Sequence, residues 1–416
     1  MRVCFLNPHG YVEKHPPLGK TDTGGQTVYE LELAKALARR SVKVDIITRK
    51  FENRSVIEEV SPNVNIIRIP CGSENFVIKE KMFELIPEFV RNFMSYIEKK
   101  QIKYDLIHSH YWDGGYAGIK LQKKLKIPHI FTPHTMGKWK MMDMEIDEVP
   151  VSNLRKIYRY QVRIAAEQKI IDRCNVVLMI SEVQRIKLLQ HYLVDFEKIQ
   201  VIYPGVDTRV FNPIKNENKS TSEMNKKNRI LVVSRFVPAK GIDRAIDIFA
   251  EVSKKIDCTL YLATSDQSEN QSEEELENVK RVNDLIAKYK LQDRVRFLGF
   301  ISDRKQLAEY YRKADIFLLP SRYEPFGLTT LESMACSTVT FVSRAAGSRE
   351  LIIDGVNGFI VDMHERAKTA KQILTIFADK KLKKKISENG VMTIQKHYSW
   401  DIISKKILDL YNSVLL

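Results

Sequence analysis

Two carboxylates stand out in the stretch SRYEPFGLTTLESMA, residues 321–335. The stretch follows the apolar run ADIFLLP, which is short enough to be a buried parallel strand. Pro325 restricts Glu324 to an extended conformation, because an α-region residue before proline clashes with the ring. Glu332 is expected in the first turn of the helix that follows. One carboxylate could accept hydrogen bonds from sugar hydroxyls and the other from a ribose; the alternative is a strand-to-helix turn with two solvated glutamates.

The start of that expected helix offers an anion site between the carboxylates. Gly327 allows the backbone to approach a ligand closely. A side-chain cap from Thr329 or Thr330 would leave free backbone amides from Phe326 onward, that of Leu328 included. Free amides and the helix dipole together favour an anion, and phosphate is the usual guest.

Two cations follow the first strand of the second half, in SRFVPAKG. Arg235 lies at the strand end and Lys240 just before a helix. Fixed cations stabilise the charge that builds on a diphosphate leaving group. The alternative is two solvated side chains, but a lysine at a helix start is unfavourable to the dipole. The pair therefore predicts a diphosphate site.

A glycine pair precedes the first helix, in TDTGGQ. Gly24 and Gly25 would expose backbone amides there to a phosphate or to sugar oxygens. The full GxGxxG fingerprint is absent, so an ordinary dinucleotide site is disfavoured. A purely structural turn is an equal alternative.

Histidines follow two further predicted strands. His110 begins the sequence HYWD, where hydrogen-bonding groups stand beside an aromatic platform. His134 begins HTMGKWK, a predicted loop that carries Lys138 and Lys140. No HExxH or other zinc spacing is present, so we expect no metal. A structural histidine is the alternative at each position.

Strands alternate with helices along the whole chain, which indicates an α/β fold of parallel sheets. At 416 residues the chain is too long for one core. We expect two Rossmann-like domains facing a cleft, residues 1–206 and residues 207–398. A polar run at 213–228 is a candidate linker. The last helix, at 399–416, has an apolar face and is expected to cross back to the first domain.

The formal net charge of +15 favours anionic ligands or surfaces. Much of the charge lies in lysine runs such as KKLKKK, and no stripe of interleaved aromatics and arginines is present, so nucleic acid is not expected. Membrane association is a less favoured alternative. The five cysteines include no CxxC pair, and no signal peptide opens the chain, so a cytoplasmic location is expected.

SRFVPAKG together with EPFGLTTLE resembles the retaining glycosyltransferases of family four, which have the GT-B fold. The resemblance runs over nearly the whole chain. It implies that Glu324 contacts donor-sugar hydroxyls and Glu332 the nucleotide ribose. It also implies that Arg235 and Lys240 hold the diphosphate and that His134 lies beside the transferred sugar.

The resemblance further places the nucleotide base near Phe300 and adds Gly25, Phe326, Gly327 and Leu328 to the donor site. It makes the second domain the donor-binding domain and the first the acceptor-binding domain. One departure is RAAGSRE, where the family often has two adjacent glycines and this chain has Ala346 and Gly347.

DTGGQ and HTMGKWK look like the branch of sucrose-phosphate and mannosylfructose-phosphate synthases. Gly24, Gly25, Thr135 and Lys140 match positions that touch a sugar-phosphate acceptor in that branch, and His110 is added to them as a candidate. Arg159 and Arg163 are expected on one helix at i and i+4, where they could share a phosphate.

The resemblance implies a retaining transfer of a hexose from a nucleotide-diphosphate sugar to a sugar phosphate, with fructose 6-phosphate as the expected acceptor. No cofactor and no metal are expected. Two alternatives remain: transfer to a lipid or polysaccharide at a membrane surface, and epimerisation of a nucleotide sugar.

Overall fold

The computed structural model of the chain describes residues 1–17, 20, 22–146, 159–213, 228–264 and 273–416, without the side chains of 143–146 and 273–275. The chain divides into two compact units: Met1–Pro204 with Trp400–Leu416, and Gly205–Ser399. The expected boundaries at residues 206 and 399 lie within two residues of these. Most of the candidate linker, residues 214–227, lies outside the described residues.

The first unit is built on an eight-stranded sheet with the order β3-β4-β2-β1-β5-β6-β7-β8. Its strands are β1 (Arg2–Leu6), β2 (Lys43–Lys50), β3 (Ile57–Ser61), β4 (Val64–Pro70), β5 (Leu106–His110), β6 (His129–Thr132), β7 (Val176–Met179) and β8 (Ile199–Val201). All ladders but one are parallel. The strands near the middle are buried on both faces, which is why they read as continuous apolar runs.

The exception to parallel pairing is β3, which forms an antiparallel hairpin with β4 and which the sequence pattern did not reveal. Only two residues, Pro62 and Asn63, separate the strands, and Asn63 has a φ of 67°. A connection this short can join only antiparallel neighbours. The hairpin therefore ends the sheet at one edge.

Helices of the first unit pack on both faces of this sheet. They are α1 (Gly25–Ala38), α2 (Met82–Lys100), α3 (Tyr111–Leu125), α4 (Gly137–Ile146), α5 (Tyr160–Arg173), α6 (Glu182–His191) and, from the chain end, α13 (Trp400–Leu415). The last of these is the helix expected to return. It contacts α1 through Arg39 and Asp401, 2.9 Å apart, and buries Tyr411 against His108 at 2.6 Å.

The second unit has a six-stranded sheet, entirely parallel, with the order β11-β10-β9-β12-β13-β14. Its strands are β9 (Arg229–Ser234), β10 (Thr259–Thr264), β11 (Val295–Phe297), β12 (Ile316–Leu319), β13 (Val339–Ser343) and β14 (Phe359–Val361). Its helices are α7 (Ile242–Ser253), α8 (Glu273–Lys288), α9 (Arg304–Lys313), α10 (Leu328–Ala335), α11 (Arg366–Ala378) and α12 (Lys380–His397).

Both sheets have the strand order of a doubly wound fold. In the second unit the order reverses direction between β9 and β12, and in the first unit between β1 and β5. Ligands of such sheets bind outside the carboxyl ends of the strands at this switch point. The topology therefore predicts ligand-binding residues in the loops after β9 and β12 and in the loops after β1 and β5.

No helix among the described residues combines the length and the apolar composition needed to cross a bilayer.

Four histidines lie in the interior of the first unit, on β5 and β6 and just after β6: His108, His110, His129 and His134. Burial lowers the pKa of His129 and of His134 to about 3 and lowers those of the other two well below the ordinary value. These imidazoles are therefore neutral in the folded chain at pH 5, whereas in the unfolded chain they are protonated below pH 6.5.

Because the unfolded chain binds more protons, the stability these histidines contribute is present above pH 6.5 and is lost as the pH falls. We expect His129→Gln to reduce the loss of unfolding free energy between pH 7 and pH 5 by about 2 kcal/mol. Urea unfolding at the two pH values measures it. His397→Gln, which replaces a histidine at an exposed position, is the control variant.

Candidate functional site

In the second unit, the loops after β9 and β12 bring together Lys240 and Glu324, which form an ion pair across 84 positions of sequence. Both side chains are largely buried, with 19% and 14% exposure. Two backbone amides of the β12 loop donate to the carbonyl of Ala239, at 2.9 and 3.2 Å, which fixes one loop against the other. The sequence predicted both groups at a ligand site, and the fold places them in contact.

A glycine makes this approach of the two loops feasible. Gly241 has a φ of 66°, and a Cβ built there would lie 2.1 Å from the carbonyl oxygen of Pro320. The loops are fixed further by Arg322, whose guanidinium donates to both oxygens of Asp243 at 2.7 and 2.6 Å. Lys240 is thus held by backbone geometry as well as by its carboxylate partner.

The helix start after β12 differs from the sequence-based expectation. Gly327, with a φ of 101°, occupies the N-cap of α10, and no side chain caps the helix. Thr330 lies inside the helix, where its hydroxyl is hydrogen-bonded to that of Ser348 at 2.8 Å. The expected threonine cap is therefore wrong, because the left-handed turn that starts the helix requires a glycine.

Glu332 lies in the second turn of α10 rather than the first. It is 5% exposed, and its oxygens accept from Tyr311 at 3.1 Å and from Arg304 at 3.2 Å. Each carboxylate oxygen can accept more than one hydrogen bond, so the carboxylate retains acceptor capacity for a hydroxyl.

The remaining donor-side candidates lie along the same edge of the sheet. Arg235 is exposed directly after β9, while Phe300 follows β11 and is half-buried. Phe326 is buried, and Leu328 is half-buried at the start of α10. The structure thus places each of these residues beyond a strand end or at the helix start.

The unusual RAAGSRE segment contacts the glutamate loop directly. The amide of Gly347 donates to the carbonyl of Glu324 at 2.9 Å, and the amide of Ser348 to that of Phe326 at 2.8 Å. Ala346 pairs with Glu324 in a short parallel bridge and is fully buried. The departure from the family pattern therefore lies beside Glu324.

In the first unit, several positions at the carboxyl edge carry non-glycine residues in the left-handed region. Asp22 has a φ of 59°, Tyr111 of 62° and His134 of 57°. Thr135 donates its amide to the carbonyl of Pro133 at 2.6 Å, so His134 is the centre of a three-residue turn. Such strained residues persist only where surrounding contacts fix them, and they cluster at functional sites.

His134 is fixed by three neighbours. Its Nε2 lies 3.0 Å from Nδ1 of His110, and its carbonyl accepts from Gln184 at 2.7 Å. The ring of Tyr29 contacts it edge-on with 5.1 Å between centroids. His110 is itself fully buried, with its ring packed in the core of the first unit, and its role as an acceptor ligand stays a prediction.

Arg163 is at the centre of a buried network behind His134. Its guanidinium donates to Glu167 at 2.7 Å, to the hydroxyl of Tyr111 at 2.8 Å, and to both oxygens of Thr135 at 2.8 Å. Tyr192 donates to the same carboxylate, and the amide of Gly137 approaches it at 3.0 Å. The network positions the loops after β5 and β6 together.

The two arginines do not share one helix face as predicted. Arg159 precedes α5 in a left-handed conformation and pairs with Glu84 at 2.7 Å, at the surface. Arg163 lies inside the unit with 3% side-chain exposure. The i, i+4 spacing does not place them on one helix face because α5 begins at Tyr160, so Arg159 lies outside the helix.

The glycine pair and the two lysines of HTMGKWK are positioned by helices. Gly24 is the N-cap of α1, and Gly25 is its exposed first residue. Lys138 and Lys140 lie on α4, not in a loop, and two positions on a helix point about 200° apart. Lys138 reaches the carbonyl of His191 at 3.5 Å, and Lys140 is half-buried on the other side.

Other polar groups lie at this edge that the sequence did not predict. Lys79 forms an ion pair with Asp22, which is 1% exposed, and its amide donates to the same carboxylate at 2.8 Å. His9 pairs with Asp113 at 2.9 Å, after β1 and in the first turn of α3. No local sequence pattern predicts these pairs, because the members of the first lie 57 positions apart and those of the second 104. The strand order alone could have directed attention to them.

Among the described residues, one group of metal-ligand types lies together: Glu30, His110 and His134, with ligand atoms within 4.8 Å of one another. The two imidazoles are hydrogen-bonded to each other, and Glu30 accepts from Asn7 and Gln26 at 2.9 Å each. Burial raises the pKa of Glu30 to about 8. A neutral acid beside paired imidazoles is poorly suited to a cation.

The strand orders and the two clusters define the class of the protein, a two-unit α/β glycosyltransferase of the GT-B fold. The family model described as Glycosyltransferase Family 4 matches residues 23–210, and the model described as Glycosyl transferases group 1 matches residues 213–392. The chain belongs to the family-four glycosyltransferases and resembles their sucrose-phosphate synthase branch. It is therefore an enzyme.

Three relatives show the extent of the similarity. A mannosylfructose-phosphate synthase of Agrobacterium fabrum is 34% identical, over 98% of this chain and 90% of the relative. A D-inositol 3-phosphate glycosyltransferase of Corynebacterium efficiens is 27% identical, over 99% and 95%. The structure of a sucrose-phosphate synthase from Thermosynechococcus elongatus aligns over 100% and 99% of the two chains, with a TM-score of 0.86 and 28% identity.

The buried network predicts unequal effects of two arginine substitutions. Arg163→Met leaves the buried carboxylate of Glu167 without its cation and should lower the unfolding free energy by about 3–5 kcal/mol. Arg159→Met removes an exposed pair and should cost less than about 1 kcal/mol. Urea unfolding of both variants measures the difference. Adding Glu167→Gln to Arg163→Met should restore part of the loss, and no recovery would contradict the charge argument.

Proposed function

We propose that the protein is a retaining hexosyltransferase that moves a hexose from a nucleotide-diphosphate sugar to a sugar phosphate, with fructose 6-phosphate as acceptor. The contact between Lys240 and Glu324 at the switch point of the second sheet carries the donor half of this proposal. The acceptor half is supported by the relatives, which include a mannosylfructose-phosphate synthase and a sucrose-phosphate synthase.

In the proposed donor site, the cations of Arg235 and Lys240 stabilise the charge that develops on the diphosphate. Glu324 positions the sugar through its hydroxyls, and Glu332 accepts from the ribose. A fixed ammonium in a partly buried site acts at full strength, because little solvent has to reorganise during the reaction. The contact between Lys240 and Glu324 keeps the ammonium in place before the donor binds.

The proposed reaction is a front-face transfer. The bond between the anomeric carbon and the phosphate oxygen breaks, and the acceptor oxygen bonds to that carbon from the same face. The acceptor's proton passes to the leaving phosphate. Glu324 therefore acts in positioning and charge stabilisation, and no covalent glycosyl-enzyme is formed.

The donor site predicts a large effect of one lysine. Lys240→Ala should lower kcat about a hundredfold, the order found when one charge-stabilising group is lost. Lys254→Ala is the control, since Lys254 is 59% exposed in the same unit and pairs only with neighbouring Glu251 among the described residues. Steady-state transfer from uridine, guanosine and adenosine diphosphate sugars is the assay. Wild-type turnover in Lys240→Ala would contradict the diphosphate role.

We also propose that transfer needs no divalent metal, since Arg235, Lys240 and the start of α10 supply the positive charge that magnesium would bring. The same assay with a chelator checks this. Activity that is abolished by the chelator and restored by magnesium or manganese would contradict it.

In the proposed acceptor site, Lys140 is the cation for the phosphate, with Gly24, Gly25 and Thr135 beside the sugar. Arg163 already donates to Glu167, Tyr111 and Thr135, so we assign it to holding the site rather than to the phosphate. A phosphate forms charge-assisted hydrogen bonds with such a cation, and these bonds are stronger than those that a neutral sugar can form.

The acceptor proposal predicts a preference for fructose 6-phosphate over fructose of at least roughly thirtyfold in kcat/KM, or about 2 kcal/mol. Lys140→Ala should reduce this preference, whereas Lys138→Ala, on the other side of α4, should not. Equal rates on both sugars in the wild type would contradict the proposed phosphate site. A preference that survives in Lys140→Ala would assign the phosphate to other cations, such as Lys79.

A further inference from the structure

The imidazoles of His110 and His134 form a buried hydrogen bond. One of the two rings must donate the proton of this bond. Nδ1 of His110 lies 3.0 Å from Nε2 of His134, with 5.2 Å between ring centroids. Burial lowers the pKa of both groups, so both rings are neutral at pH 7. Each neutral ring carries one N–H and one bare nitrogen. The direction of this bond therefore fixes the tautomer of both histidines.

The other nitrogen of His110 decides that direction. Its Nε2 is fully buried and has no hydrogen-bond partner in the part of the chain that the structure describes. A proton on Nε2 would thus be a buried donor with no acceptor, and orphaned donors are rarer in folded proteins than under-satisfied acceptors. The proton of His110 belongs on Nδ1, where His134 accepts it.

We propose that His110 is a positioning residue: its Nδ1–H donates to Nε2 of His134 and thereby holds the proton of His134 on Nδ1. Nδ1 of His134 makes no hydrogen bond within the described residues, so this N–H is available to a ligand. His134 then presents a hydrogen-bond donor to a sugar oxygen and cannot accept a proton at that atom. This last step rests on the proposed function.

Packing keeps the His110 ring from turning away. His108 lies against it with 4.4 Å between centroids, and Phe5 contacts it at 4.9 Å. His108 is fixed in turn, because Tyr411 and Thr132 occupy its two nitrogens at 2.6 and 2.8 Å. The last helix therefore supports the pair through His108.

The tautomer of His134 can be read directly by NMR on the full chain labelled with 15N-histidine, without any substrate. Loss of signals in His134→Gln assigns the ring. We expect the wild type to show the Nδ1–H form of His134, and a wild-type Nε2–H form would overturn the proposal. His110→Asn places an amide N–H near the position of Nδ1 and should keep the Nδ1–H form.

His110→Leu removes the donor and should release His134 to the Nε2–H form or to a mixture. An unchanged His134 spectrum in that variant would overturn the proposal. His129→Gln is the control, since it replaces a buried imidazole of the same unit that bonds Ser109 and not the His110–His134 pair. It should leave the tautomer of His134 as it is, and a change there would show that general packing, not the hydrogen bond, sets the tautomer.

Activity gives a second readout. His110→Leu should lower kcat about tenfold with little change in KM for the donor, and His110→Asn should recover most of that loss. Equal kcat values in both variants would overturn the link to turnover. If the wild type transferred no sugar to any acceptor tried, the proposed function would fail, while the NMR result would still decide the tautomer.

Discussion

A buried ion pair between Arg163 and Glu167 determines how the carboxyl edge of the first sheet is built. Removing two charges from water is costly unless every remaining donor and acceptor is satisfied. The surrounding chain meets this requirement with the hydroxyl of Tyr111, both oxygens of Thr135, the amide of Gly137 and the hydroxyl of Tyr192. These groups come from the loops after β5, β6 and α6. The charge pair therefore fixes the strained turn at His134.

The two units place different chemical groups at the same topological position. In the second unit, the switch point between β9 and β12 carries an ammonium and a carboxylate, 19% and 14% exposed, which suits a charged diphosphate. In the first unit, the corresponding edge carries imidazoles whose pKa is lowered well below the ordinary value by burial, so the rings are neutral. Neutral rings act as directional hydrogen-bond donors and acceptors. The edge of the first sheet thus combines neutral, directional rings with charged pairs such as Lys79 and Asp22.

Much of the fold and part of the site could be predicted from sequence. Alternating apolar strands and amphipathic helices, the return of the last helix, and the location of Arg235, Lys240 and Glu324 after strands all followed from local patterns. Such patterns are reliable because a buried parallel strand must be apolar on both faces, and its carboxyl end must lie at the ligand edge of the sheet. The hairpin of β3 and the glycine cap of α10 were missed, since turn geometry outweighed the residue preferences on which we relied.

The sequence by itself determined which elements form and which strand ends carry polar side chains. Only the tertiary structure decided which of those side chains are buried and what they contact. Lys240 and Glu324 are in contact although they are 84 positions apart, and His110 is fully buried. Arg159 and Arg163, four positions apart, ended at the surface and in the interior. The physical reason is that burial and pairing depend on which distant segment packs over a residue. The spacing of residues along the chain does not determine which segment that is.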